Sequence, residues 1–437
     1  LAGIDQIPAI VRILLVFLLL LSAIRLRFSL GNALLLGSIL LGLLFGCPLA
    51  ALARSALFAL IHPKTLALAL VVILILILSH SMEAGGQMSR LLDSFRGLVA
   101  HPGLNIILFP ALIGLLPMPG GAIFSAPMVK NLGRRHRLSA SRLSYVNYWF
   151  RHIWEYWWPL YPGVLLATTI AGLNLWHYAL FLLPLTAVAL AAGYWPMRKA
   201  LRHHAPTQQR APVRRGQGAT FLRELTPIGL VIVLGLALGL LFSRLLPAHW
   251  TSVAKESGLI VALLIAIAMV WHANHLGAEH ARKILLNPQL FDMFYMVAGI
   301  LIFKGILEDS LAIETLSKEL VRWRVPLITI TVLLPMLVGA IAGIAIAFVG
   351  TTFPVLVSLV QTLGHEQLML VYLMLAMVGG FIGVLLSPLH LCLLLSNEYF
   401  DTTLSAVYRH LRLPCSVLLI SGCLYFWLAS CLMVRCF

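Results

Sequence analysis

The residue types most able to do chemistry in this chain stand in one string, Asn147-Tyr-Trp-Phe-Arg-His-Ile-Trp-Glu-Tyr-Trp-Trp-Pro-Leu-Tyr-Pro-Gly163. Arg151, His152 and Glu155 lie inside a long apolar run, and Pro159 and Pro162 interrupt that run. Charge in hydrocarbon is expensive and is kept mostly where it faces a cavity or a partner. Proline frees carbonyls one turn back, which something else must satisfy. Arg151 and Glu155 are spaced i,i+4, so on one helix face they would neutralise each other as a structural ion pair. In the functional alternative, Arg151 holds a substrate anion while Glu155 or His152 carries a proton. Burial penalises a carboxylate's charged form, and histidine titrates near neutrality.

Three further groups join this string. Upstream, Pro117-Met-Pro-Gly-Gly121 is a tight turn containing Pro119, Gly120 and Gly121, followed by Ser125. Turn glycines expose backbone amides, and the helix N-terminus that follows can bind an anion. In the second half, Gly339, Gly343 and Gly350 precede Thr351 and Thr352, whose hydroxyls could face an ion or solute. Tyr161, between the two prolines of the first break, is matched by Ser387-Pro388-Leu-His390 in the second. Ser396-Asn397-Glu398 continues that second broken helix, and the Asn397 amide could join a cation site. The aromatics around residue 150, among them Tyr145, Tyr148, Trp149 and Tyr156, read as interfacial anchors.

No metal site is expected. The six cysteines form no C-x-x-C pair and read as small apolar residues. His272, His275 and His280 have no carboxylate or cysteine at ligand spacing. No Walker-type loop is present, so ATP-driven pumping on this chain alone is not expected, and no cofactor is implied.

The elements that must position these groups follow from composition. Of the 437 residues, 61% are apolar and 11% charged, where a soluble domain has about a quarter charged. This is the composition of an all-α polytopic membrane protein. The net charge of +16 sits in short loops between apolar spans, which fits the positive-inside rule and not a nucleic-acid partner. The first apolar stretch has neither a basic region before it nor a cleavage site after it, and reads as a membrane helix.

The two halves match as repeats. Pro110-Ala-Leu-Ile-Gly114 answers to Pro335-Met-Leu-Val-Gly339 at an offset of 225, Pro127 to Pro354 at 227, and Pro159 to Pro388 at 229. Weak internal symmetry of this kind, with breaks at corresponding positions, is typical of transporter folds. The organisation expected is a first repeat over 1–195, with a re-entrant hairpin at 104–130 and a broken helix at 142–172. A basic cytoplasmic linker at 196–224 follows. The second repeat covers 225–437, with a hairpin at 326–360 and a broken helix at 368–398. Each repeat would have five transmembrane helices. Five crossings per repeat make the repeats inverted, and placing the linker in the cytoplasm puts most of the 31 Lys and Arg inside.

Pro-Met-Pro-Gly-Gly-Ala (117–122), the string at 147–155 and Trp-Pro-Leu-Tyr-Pro (158–162) resemble a family of prokaryotic integral membrane proteins catalogued as domain of unknown function 401. That family is grouped with the ion-transporter superfamily, which includes carriers of dicarboxylates, citrate, gluconate, lactate and arsenite, and sodium/proton exchangers. The resemblance implies two inverted repeats in a homodimer, with a scaffold domain at the interface and a moving transport domain. Where dicarboxylate carriers place Ser-Asn-Thr triplets at their hairpin tips, this chain has Pro-Gly-Gly and Gly-Thr-Thr. The expected function is secondary transport of a small, anionic organic solute across the cell (inner) membrane by alternating access, with H+ or Na+ as coupling ion. Membrane lipid is the only other partner expected. The alternatives are a cation/proton antiporter using Glu155 and His152, and an intramembrane enzyme acting on a lipid or peptide. The enzyme would need a nucleophile or metal at spacing, which the sequence does not offer.

Overall fold

The computed structural model describes residues 7–95, 102–118, 121–198, 217–245 and 253–435. Among them there is no strand, and twenty α-helices follow one another. The first ten are α1 (Ala9–Arg25), α2 (Leu30–Leu44), α3 (Leu49–Ile61), α4 (Pro63–Ala84), α5 (Gln87–Phe95), α6 (Pro102–Ile113), α7 (Ala122–Arg135), α8 (Ala140–His152), α9 (Pro162–Ala171) and α10 (Leu175–Tyr194). The second ten are α11 (Gln217–Leu245), α12 (Ala254–Ala273), α13 (Ala278–Leu285), α14 (Pro288–Asp309), α15 (Ala312–Arg322), α16 (Leu327–Ala342), α17 (Ala345–Thr362), α18 (Met369–Leu385), α19 (Leu391–Phe400) and α20 (Leu404–Arg435).

The order recurs with a regular offset. Helices α4, α5 and α6 start at 63, 87 and 102, and α14, α15 and α16 start at 288, 312 and 327, each 225 later. Helices α8, α9 and α10 start at 140, 162 and 175, and α18, α19 and α20 start at 369, 391 and 404, each 229 later. Local chemistry recurs too. Pro63 and Pro288 each occupy a first helical turn, where the missing N–H costs nothing. Pro110 and Pro335 lie inside corresponding helices, as do Pro127 and Pro354.

Among the described residues, eight segments are long and apolar enough to cross a membrane, which marks a multi-pass membrane protein. Helix α18 is buried along almost its whole length, as expected of a helix apolar all round. It crosses α16 closely because Gly379 and Gly383, spaced four apart, carry no side chain there; a Cβ on Gly383 would lie 2.1 Å from the Met336 carbonyl oxygen.

Short helices that apolar-span counting passes over line the bundle. In α5, Met88, Leu91, Leu92 and Phe95 are buried, one amphipathic face at helical spacing. In α15, Ile313, Leu316 and Leu320 do the same. The basic linker expected at 196–224 lies mostly outside the described residues. Its end, Gln217–Arg223, is not linker but the opening of α11.

Candidate functional site

Both expected broken helices are broken where the prolines stand. Helix α8 ends at His152, a turn covers 153–161, and α9 begins at Pro162; α18 ends at Leu385 and α19 begins at Leu391. The backbone groups freed at these ends find side-chain partners, as an apolar interior requires. Tyr148 and Tyr408 donate to the carbonyls of Leu385 and Leu386 at 3.2 and 3.0 Å. Trp154 donates to Ala111 at 2.7 Å and Tyr161 to Gly114 at 2.7 Å, satisfying the end of α6.

Four segments then converge on one cleft of about 190 Å³. The α6–α7 turn contributes Pro117 and Met118, and the α16–α17 turn contributes Gly343 and Ile344. The first break contributes Arg151, His152, Glu155 and Tyr161, and the second contributes His390. Gly343 takes φ +70°, a left-handed turn that glycine makes without strain, and brings α17 back at once along α16.

Arg151 is 3% exposed. Its Nη2 donates to the Met118 carbonyl, and Nη1 lies 3.3 Å from Cys392 Sγ and 3.4 Å from His152 Nε2. Its Nε has no partner. A Cβ on Gly121 would lie 2.4 Å from Arg151 Nη2, so that residue must be bare for the guanidinium to fit. His152 Nδ1 lies 2.6 Å from the Tyr148 carbonyl, which can only accept, so Nδ1 carries the proton and Nε2 presents its lone pair. His390 Nε2 faces that lone pair at 3.1 Å.

Helix ends complete the cleft. The first residues of α9 (Pro162, Gly163), α17 (Ala345, Ile346) and α19 (Leu391, Cys392) all line it. None of these three N-termini is capped by a side chain. The first-turn N–H groups of a helix have no acceptor within the helix and carry a partial positive charge. The cleft therefore gathers positive potential from one guanidinium and three helix N-termini, set against Glu155 at its edge and the C-terminal ends of α8 and α16. A wider cleft of about 260 Å³ near the C-terminal end of α9, between Lys64 and Lys255, has no buried charged side chain.

The expected i,i+4 pair of Arg151 with Glu155 does not form. The helix stops at His152, so the spacing no longer puts both side chains on one face; Glu155 Oε2 lies instead 3.8 Å from His152 Nε2. Gly350, Thr351 and Thr352 are not at a tip. They lie inside α17, the threonine hydroxyls donate to the Ala347 and Phe348 carbonyls at 2.8 and 2.7 Å, and Gly350 packs on Ile300. Ser387 is buried, with its Oγ accepting from the Leu389 N–H at 3.2 Å. Pro119 and Gly120 lie outside the described residues.

Ser125 and Asn397 belong to a buried polar seam behind the cleft. Asn147 accepts from Ser125 Oγ at 2.5 Å and donates to Ser396 Oγ at 2.9 Å, while Ser144 donates to Asn397 at 2.6 Å. The seam joins α7 and α8 of the first half to α19 of the second. The aromatics expected as interfacial anchors are core residues: Tyr145, Tyr148, Trp149 and Tyr156 are almost fully buried. Tyr145 and Trp149 donate to the Gly193 and Ala189 carbonyls of α10 at 2.8 and 3.0 Å. Sequence reasoning missed Cys392 as a cleft residue and Asn147 as the centre of the seam. The position of Cys392, four residues past Pro388 at the start of a half-helix, was the available signal.

Fold and cleft together define an all-helical, multi-pass membrane protein with a buried, charged cleft between two helix breaks. The chain belongs to the family described as protein of unknown function (DUF401), whose match covers residues 9–429. No curated protein matches it.

Proposed function

We propose that this chain is a secondary active transporter of a small organic anion in the cell (inner) membrane. The observation that carries the reading is the cleft: the buried Arg151 guanidinium, with a free Nε, among the uncapped N-termini of α9, α17 and α19. Half-helix N-termini at a midplane break are a known way to hold a carboxylate in a carrier.

The recurring helix order supports two inverted repeats. On that reading α6–α7 and α16–α17 are re-entrant hairpins approaching from opposite sides, with the basic linker in the cytoplasm, and rocking of the halves about the cleft gives alternating access. The resemblance to the ion-transporter superfamily adds a proton or sodium ion as coupling partner and a homodimeric assembly. The cleft suits a molecule of a few heavy atoms with one or two carboxylates, and its apolar walls at Leu76, Met293 and Ile346 suit a short carbon chain.

The test is a thermal-shift screen of organic acids on the purified protein, with sodium and pH varied, because a ligand of the native state raises its melting temperature. We expect carboxylates to be the hits. Arg151→Gln should abolish the shift, and Arg151→Lys should weaken binding by about tenfold, since a point charge cannot replace the fork. Hits confined to neutral solutes, or an Arg151→Gln protein that binds the anion as before, would end this reading.

A further inference from the structure

We infer that His152, His390 and Cys392, with Glu155 beside them, form a site for a thiophilic divalent metal ion of the zinc type. The ligand atoms of the first three lie within 4.8 Å of one another, and all three residues are buried. The two Nε2 atoms face each other at 3.1 Å, and Glu155 Oε2 lies 3.8 Å from His152 Nε2. In a tetrahedral zinc site, metal–ligand bonds of 2.0–2.3 Å set ligand atoms about 3.3–3.6 Å apart, so an ion needs only a modest inward shift of the widest pair.

The surroundings of His152 are those of a metal-bound imidazole. Its Nδ1–H is held by the Tyr148 carbonyl at 2.6 Å, which fixes the ring and aims the Nε2 lone pair into the cluster. Two imidazoles, a thiolate and a carboxylate suit Zn2+, Co2+ or Cd2+; Mg2+ and Ca2+ prefer all-oxygen sites. Thiolate and carboxylate together balance a divalent charge. Arg151 Nη1, 3.3 Å from Sγ, would then draw back toward Met118 and keep its own charge for an anion.

Local spacing could not reveal this set, because His152 closes α8 while His390 and Cys392 open α19. An ion held there would fasten the first break to the second. The inference goes beyond the transport reading and does not rest on it.

Purified full-length protein in detergent, stripped with chelator and free of organic acids, is titrated with Co2+. The expected result is one ion per chain, with thiolate-to-cobalt charge-transfer absorption, displaced by Zn2+ and not by Mg2+. Cys392→Ser should remove that absorption, and His390→Gln should weaken binding at least tenfold. X-ray absorption at the zinc edge of the wild-type protein keeps the test independent of variant folding, and should read imidazole nitrogen and one sulfur. No stoichiometric Co2+ binding, binding unchanged in Cys392→Ser, or a zinc shell without sulfur would each overturn the site. Anion screening repeated with chelator present separates this failure from failure of the transport reading.

Discussion

A Cβ at Gly114 would lie 2.0 Å from the Arg151 carbonyl oxygen, and a Cβ at Gly339 would lie 2.4 Å from that of Gly380. The two glycines are 225 residues apart, and Arg151 and Gly380 are 229 apart, the offsets that also separate α6 from α16 and α8 from α18. Each half thus crosses a short helix over a broken one at a bare backbone. What projects from the crossing differs. The first half carries a guanidinium, whereas at Gly380 the space is taken by the Phe348 ring, 2.3 Å from where a Cβ would sit. The breaks differ likewise, the first running over 153–161 with Trp154 and Glu155, the second over 386–390 with Ser387 and His390. Backbone contact tolerates no side chain and so holds the frame alike in both halves; side chains facing the cleft carry no such constraint and differ. On the reading of two repeats proposed above, one half supplies most of the charge and both supply the frame.

The largest effect expected is from breaking either crossing. Gly114→Ala and Gly339→Ala each force a methyl group into a carbonyl oxygen, where backbone must move. We expect losses of about 3 kcal/mol or more, at the upper end for overpacking and a large part of a typical folding free energy. The readout is the fraction of solubilised protein that runs monodisperse, together with its melting temperature. If one variant melts like wild type and the other does not, the crossings are not equivalent.

The seam between the halves comes next. Asn147→Ala removes the donor to the Ser396 hydroxyl and the shorter bonds of the Ser125 hydroxyl and the Ala122 carbonyl, which keep only each other at 3.3 Å in a buried place. Stranded polar groups cost about 1–3 kcal/mol together with the lost bonds, so thermal or denaturant melting should show an intermediate loss. A change near zero would mean that water enters behind α8, and that the halves are not sealed there.

The parts of this architecture legible in the sequence are those set by local exceptions to an apolar pattern. Prolines inside spans marked both breaks, and charges beside the first marked the cleft. What escaped depended on geometry that those breaks create. Helical spacing paired Arg151 with Glu155, but the helix ends between them. Thr351 and Thr352 looked available because polar residues near glycines suggest a tip; the turn instead closes at Gly343, and both hydroxyls bond to their own helix. Tyr148 and Trp149 resembled anchors by composition, and only packing against α10 and α18 shows them as core. Cys392 stands two residues after His390, but its other partners, Arg151 and His152, come from the other half and are brought to it only by the fold.

The smallest effect concerns helix ends, and it sharpens the same contrast between frame and site. The N-terminus of α1 is served by the protein itself: Glu319 on α15 accepts from the Ala9 and Ile10 amides at 2.7 and 2.9 Å. The N-termini of α9, α17 and α19 have no such side chain and meet in the cleft. Side-chain caps are missing from frame helices too, α3 and α16 among them, so the test bears on the Glu319 contact itself: Glu319 does not line the cleft, and removing it should cost stability alone. Glu319→Ala takes away a carboxylate that complements both the orphan amides and the helix dipole, a loss of about 1 kcal/mol. It should lower the melting temperature slightly while leaving unchanged the shift produced by whichever carboxylate the screen identifies. A weakened ligand response in this variant would mean that α1 and α15 move with the cleft, and the division between frame and site would have to be redrawn to include them.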